Sequence, residues 1–174
     1  MRTKILMSAM FILFIISCKK QQQDRYSHAQ IHEKEIIDIT GVFLDAFHIE
    51  QDSSQINTIL TDDYVRHINS IKVASNPEEL KASIKVFFTG FPDVELINST
   101  KTVKDNQVFV HWLFTGTNTG EFGETPATGK KVKISGLSHL YFNKDGKIYR
   151  EDLFYNELDL LQQLGYTLVS PIVE

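Results

Sequence analysis

At Gly90-Phe91-Pro92 the hydrophobic pattern of the chain changes period, and that change fixes the class of fold. Before it, apolar residues recur three and four positions apart, the spacing of one face of a helix. After it they alternate, the spacing of a strand with one buried face. Residues 31–50 carry Ile36, Ile39, Phe43, Ala46 and Phe47 at helical spacing, with Gly41 a modest internal cost. A second, short helix is predicted from a cap at Ser53 or Ser54 through Ile56, Ile59 and Leu60. Asn76-Pro77-Glu78-Glu79 opens a third: a capping side chain, proline at the first helical position, then acids at the positive end of the dipole. It runs through Leu80, Ile84 and Phe87-Phe88 to Gly90.

Beyond Pro92, Val94–Lys104, Gln107–Thr119, Lys130–Asn143 and Lys147–Asn156 read as strands, rich in Val, Ile, Thr and aromatics. Asp105-Asn106, a long Gly/Thr loop and Lys144-Asp145-Gly146 separate them, and one more short strand is expected around Val65–Val73. Residues 157–165 form a last short helix with Gly165 at its stop. Helices first and a strand meander afterwards predict an α+β fold, with the helices packed on one face of a curved antiparallel sheet.

The N-terminus reads as a targeting segment. Arg2 and Lys4 precede a mostly apolar run, Ile5 to Ile16, shorter than the roughly 20 residues of a spanning helix but suited to a signal peptide. The run ends at Ile15-Ile16-Ser17-Cys18, and Cys18 is the only cysteine, so no intrachain disulfide can form. The boundary is similar to a bacterial lipobox, which would lipidate Cys18 after cleavage. The alternatives are a free or buried thiol behind an ordinary signal peptide, or an uncleaved anchor. Residues 1–17 are therefore read as a lipoprotein signal peptide, 18–30 as lipidated Cys and linker, and 31–174 as one domain. Export to the cell envelope follows, with the outer membrane expected because Lys19 supplies no acidic retention signal. Without Arg2 and Lys4, the 18 basic residues become 16 against 22 acidic ones, a net charge of −6. An acidic domain without a Lys/Arg cluster points away from nucleic acid.

Motifs for common chemistries are absent: there is no Gly-x-Ser-x-Gly, phosphate-cradling loop or dinucleotide fingerprint. His28 and His32 lie in or beside the linker and read as a solvated pair, so no metal or other cofactor is expected. Strand parity gathers a different set. His111 falls with Leu113 and Thr115, His139 with Ser135, Leu137 and Tyr141, and Glu151 with Tyr149, Leu153 and Tyr155. These faces mix polar and aromatic groups, as a wet pocket does, and are expected to converge on a cavity with His67. Taken singly, each histidine reads more readily as a hydrogen-bonded side chain on a half-exposed sheet, and it is their coincidence with Glu151 on one face that brings the pocket reading level. Asp152, on the other parity, should point outward, paired with a Lys or set at a dimer contact. A cluster of imidazoles, a carboxyl and tyrosine hydroxyls suits general acid–base chemistry.

Several short motifs then occur in order: Phe91-Pro92-Asp93, Val110-His111-Trp112, Gly116-Thr117-Asn118-Thr119-Gly120-Glu121-Phe122, Pro126-Ala127-Thr128-Gly129-Lys130, Gly146-Lys147-Ile148 and Leu160-Leu161-Gln162-Gln163-Leu164-Gly165. Together, over about residues 36–165, they resemble the SnoaL-like polyketide cyclase or ester cyclase family of the nuclear transport factor 2-like superfamily. The resemblance implies a cone-shaped α+β fold, a curved antiparallel sheet packed on three N-terminal helices and enclosing a cavity. It also implies cofactor-free acid–base chemistry in members that are enzymes. Departures stand beside it. Leu153 occupies the position of the family's carboxylate, His111 that of an Arg before the Trp, and Asn118 that of a frequent His. Asp152 replaces a Trp and Asn156 a closing Asp, while His139 falls where some cyclases place a second pocket histidine.

Three readings follow. In the first, Glu151 and His139 exchange protons with a small apolar carbonyl or ester, positioned by His67, His111, Asn118, Leu153 and Tyr155. In the second, the same cavity binds such a compound without turnover. In the third, the sheet forms a dimerisation module, for which an outward apolar surface around Trp112 and Phe114 would speak; a homodimer is compatible with all three.

Overall fold

The computed structural model describes residues 32–47 and 55–170, and the compact unit begins at Ile36. Helix α1 covers residues 32–45 and buries Ile36, Thr40, Phe43 and Leu44, one stripe of a 3.6-residue period. Helix α2 (Ile56–Ile59) is a single turn that gives way at once to β1 (Leu60–Ile68) and β2 (Ile71–Ala74). Here the structure corrects two expectations: Leu60 starts a strand instead of continuing a helix, and the region 65–73 holds a hairpin rather than one strand. Its two-residue turn, Asn69-Ser70, has both φ angles positive, at 49° and 73°, as a type I′ turn requires. No glycine marks it.

Helix α3 (Pro77–Gly90) begins where the capping signal places it. Asn76 Oδ1 accepts from the Glu79 N–H at 2.9 Å, and Glu79 Oε2 accepts from the Ser75 N–H at 2.7 Å. Leu80, Ile84 and Phe88 form its buried stripe. Strands β3 (Glu95–Lys104), β4 (Gln107–Thr117), β5 (Lys131–Phe142) and β6 (Ile148–Tyr155) follow, then α4 (Glu157–Leu164), closed by Gly165 at φ 108°.

The six strands make one open sheet in the order β2-β1-β6-β5-β4-β3. The sheet is mixed rather than wholly antiparallel, because β1 pairs parallel with β6 while the other four pairings are antiparallel. Register shifts at Asn98/Thr100 and Tyr141/Phe142 curve it around the helices. On the concave side lie two apolar clusters. One gathers Ile36, Phe43, Ile84 and Phe88 against Val108, Val110 and Leu140. The other gathers Phe91, Trp112, Phe114, Ile134 and Leu153 against Leu160 and Leu164 of α4. Edge-to-face contacts among Phe87, Phe91, Phe114 and Phe122 brace the second, with centroids 5.0–5.9 Å apart.

Candidate functional site

The two clusters do not meet completely, and a cavity of about 70 Å³ lies between them. Its wall is overwhelmingly apolar, with Phe43, Phe47, Phe87 and Phe88 from the helical side and Trp112, Phe114, Ile134 and Leu153 from the sheet. Arg66, Glu151, Ser138 and Tyr155 supply its polar groups. A few convergent polar atoms in an apolar hollow is the usual build of a small-molecule site.

Register explains why these polar groups meet. Arg66 of β1 sits opposite Glu151 of β6 in the parallel pair, and Ser138 of β5 sits opposite Leu153, one pleat from Glu151. Arg66 and Glu151 side chains are 5% and 1% exposed, with Nε and Oε2 3.0 Å apart. The contact is an ion pair by distance, although Arg66 Nε is out of line for a hydrogen bond. Ser138 Oγ donates to Glu151 Oε1 at 2.9 Å, and Tyr64 Oη donates to Oε2 at 3.0 Å. One buried carboxylate thus faces two hydroxyl donors and a guanidinium, an environment complementary to its negative form. Burial, then the neighbouring Glu151, push the Tyr64 phenol well above its ordinary pKa, which keeps it a donor. Tyr155 is pushed up to about 12, chiefly by burial. Arg66 also places its guanidinium carbon 5.3 Å from the Phe47 ring centroid, a cation–π contact inside the cavity wall.

Of the residues singled out in the sequence, Glu151, Leu153 and Tyr155 line the cavity together. His67, His111 and His139 do not. In β4 and β5 the concave parity belongs to Val110, Trp112, Phe114, Ile134 and Ser138, so His111 and His139 point to the convex face. The expectation failed because a mixed polar and aromatic composition marked the outer face of these strands, while the cavity wall kept the plain apolar one. Trp112 and Phe114, correspondingly, are buried inward and offer no outer apolar surface. Asn118 is fully buried but braces a loop. Its Nδ2 donates to the carbonyls of Gly90 (3.1 Å) and Gly120 (2.9 Å), and its Oδ1 accepts from Thr128 N and Oγ1, each at 2.8 Å.

His67 and His139 instead belong to a separate network on the convex face, centred on Asp152. Its carboxylate accepts from Arg150 Nε at 2.9 Å and Tyr141 Oη at 3.0 Å, and lies 3.2 Å from His67 Nδ1. Burial alone would raise the Asp152 pKa, but those hydrogen bonds, with the charges of Arg150 and His67, bring it below its ordinary value. His139 stacks between Phe109 and Tyr141, each with its ring centroid 4.0 Å away, and shares a 2.7 Å hydrogen bond with Gln107. Asp152 thus points away from the cavity and has Arg150, not a lysine, as its cation. Glu151 and His139 cannot exchange a proton directly across the sheet. Arg66, Tyr64 and Ser138 were missed in the sequence. The signal was the alternation of Tyr64 and Arg66, at the start of a segment whose strand was expected only from Val65 and whose faces were not assigned. Among the described residues, no group of three or more His, Cys, Asp or Glu is placed to hold a metal ion.

The family model of SnoaL-like polyketide cyclases matches residues 40–164. The chain belongs to that family. Solved structures agree at the level of fold. A protein from Jannaschia sp. CCS1, provisionally described as a SnoaL-like polyketide cyclase, superposes with a TM-score of 0.70 at 20% identity, covering 78% of this chain and 94% of that one. TsrD from Streptomyces laurentii gives 0.66 at 20% identity over 76% and 96% of the two chains. AclR from Streptomyces galilaeus, provisionally called a hydroxylase, gives 0.64 at 23% identity over 78% and 86%. No curated protein matches. One fold carries different chemical descriptions among these neighbours, so function must be argued from the site.

Proposed function

We propose that this SnoaL-like domain binds a small, largely apolar carbonyl or ester compound in its cavity, and that Cys18 holds it at the membrane through a lipid. The observation that carries the reading is the buried ion pair Arg66–Glu151 in a largely apolar wall. A guanidinium presents hydrogen-bond donors to a carbonyl oxygen, and the aromatic wall takes the rest of the molecule. Binding without turnover fits the geometry better than acid–base catalysis. The Glu151 carboxylate is already engaged by Tyr64, Ser138 and Arg66, no histidine among the described residues reaches the cavity, and Leu153 has no proton to move. A homodimer is also proposed, since Ile97 and Phe154 are 53% and 44% exposed and a second copy on the convex face would cover them.

Native mass spectrometry of the gently purified mature protein tests the binding reading. Retention of a ketone or ester that is lost from Arg66→Met supports it. An apo spectrum, together with no response to a panel of small ketones and esters, ends it. For the anchor, Cys18→Ser should abolish incorporation of labelled fatty acid; unchanged incorporation would rule Cys18 out.

A further inference from the structure

We propose that the Arg66–Glu151 pair makes the cavity selective for neutral ligands, with Glu151 setting the selectivity by cancelling the charge of Arg66. This rests on the ligand-binding reading above and adds which member of an otherwise identical acid and ester pair is admitted.

Arg66 and Glu151 are the only charged residues lining the cavity among the described residues, and together they carry no net charge. Both are almost wholly buried. Of the remaining polar neighbours, Tyr64 and Ser138 spend their hydroxyl protons on Glu151, and Tyr155 adds a hydroxyl to the wall but no charge. A neutral carbonyl entering beside Arg66 takes a hydrogen bond and adds no charge. A carboxylate adds a negative charge to a balanced pair, and no further cation lines the wall to offset it. Burying an uncompensated charge costs far more than burying a hydrogen-bonded dipole. Glu151 is therefore a specificity-determining residue that acts through Arg66. Glu151→Gln keeps the size of the side chain and an acceptor for Tyr64 or Ser138, but it leaves the guanidinium unbalanced. The preference should then pass to the anion.

Methyl hexanoate and hexanoate share an apolar chain and differ by a charge at neutral pH. The reporter is built in: Trp112 is the only tryptophan of the chain and lines the cavity. The full-length protein, held in phosphatidylcholine nanodiscs, is titrated with each compound while Trp112 emission is followed. Partition of the ester into lipid lowers its apparent affinity and so works against the expected result. In the wild type, the ester should saturate at a concentration about tenfold or more below that needed for hexanoate. In Glu151→Gln, hexanoate should gain about tenfold or more, with the ester moving by less than about threefold. Equal binding of both compounds by the wild type overturns the proposal, as does unchanged hexanoate binding by a folded Glu151→Gln. Should that variant fail to fold, the wild-type comparison decides alone. Silence of both compounds in the wild type removes the cavity reading itself, and the selectivity with it.

Discussion

Gly136 of β5 lies against the indole of Trp112 on β4, its cross-strand partner, and a Cβ at that position would clash with the ring's Cζ2 and Cη2. The same Cβ would stand 2.6 Å from the Phe154 carbonyl oxygen, which is backbone and cannot swing away. The absence of a side chain at Gly136 is what lets the indole lie flat against the sheet and leave the cavity open.

Gly136→Ala should therefore drive the indole toward the cavity and strain the backbone of β6. Overpacking of this kind costs about 1–3 kcal/mol. Urea unfolding should show the loss, and the Trp112 emission response to methyl hexanoate should weaken or vanish. An unchanged midpoint with an unchanged titration would mean the indole has another resting place.

The Arg66–Glu151 pair predicts a coupled stability effect. Arg66→Met alone leaves a buried carboxylate without its cation, and Glu151→Gln alone leaves a buried guanidinium without its anion. Each should cost about 3–5 kcal/mol. The double variant Arg66→Met/Glu151→Gln removes both charges and retains an acceptor near Tyr64 and Ser138, so it should recover most of the loss. Denaturant midpoints of the four proteins give the coupling directly. Additive losses would show that the two groups stabilise the fold independently.

How much of this was legible beforehand differs by element, for physical reasons. Helix α3 was, because Asn76, Pro77 and Glu79 act locally and the capping bonds they imply are made. Strands β3 to β6 and α4 were too, since alternation and Gly165 are local signals. Strand β1 was legible only in part: a strand was expected around Val65–Val73, but Asp62-Asp63 interrupt the alternation of its first half, and the strand is held by pairing with β2 and with β6, some 80 positions away in the chain. With the start of that strand misplaced, the shared face of Tyr64 and Arg66 went unread, and with it the electrostatic partner of Glu151. The misplacement of His111 and His139 has another origin. Period two assigns residues to two faces within a strand but does not say which face of one strand matches which of the next. Only the register does that, and it sets His139 opposite Asp152 and Ser138 opposite Leu153.

Asn118→Ala should act on the fold rather than on the ligand. The side chain satisfies the Gly90 and Gly120 carbonyls and receives Thr128, tying the β4–β5 loop to the end of α3. Truncation leaves buried polar groups without partners at about 1–3 kcal/mol each, so a total loss above about 2 kcal/mol is expected. Limited proteolysis should then cut within residues 118–130 first. The folded fraction should bind methyl hexanoate as the wild type does, because Asn118 does not line the cavity. A fall in affinity without a fall in stability would give Asn118 a ligand role after all.

On the convex face, His139 predicts how stability depends on pH. Burial lowers its pKa and the Arg150 charge lowers it further, outweighing the opposite pull of Asp152. The unfolded chain, with an imidazole near about 6.5, therefore binds the proton more readily than the folded one. The contribution of His139 to stability is complete above that value and declines as pH falls from it toward the lower folded value. Asp152 has its own depressed pKa and is lost only at much more acid pH, below about 3.9. In His139→Gln the first of these declines should disappear. The difference in urea midpoint between wild type and variant, followed from pH 8 to pH 5, isolates it, since titration of the other histidines cancels. The wild type should lose ground to the variant as the solution is acidified. A difference that stays constant across that range would mean the folded protein protonates His139 as easily as the unfolded chain does, and that its stacking between Phe109 and Tyr141 leaves the ring open to water.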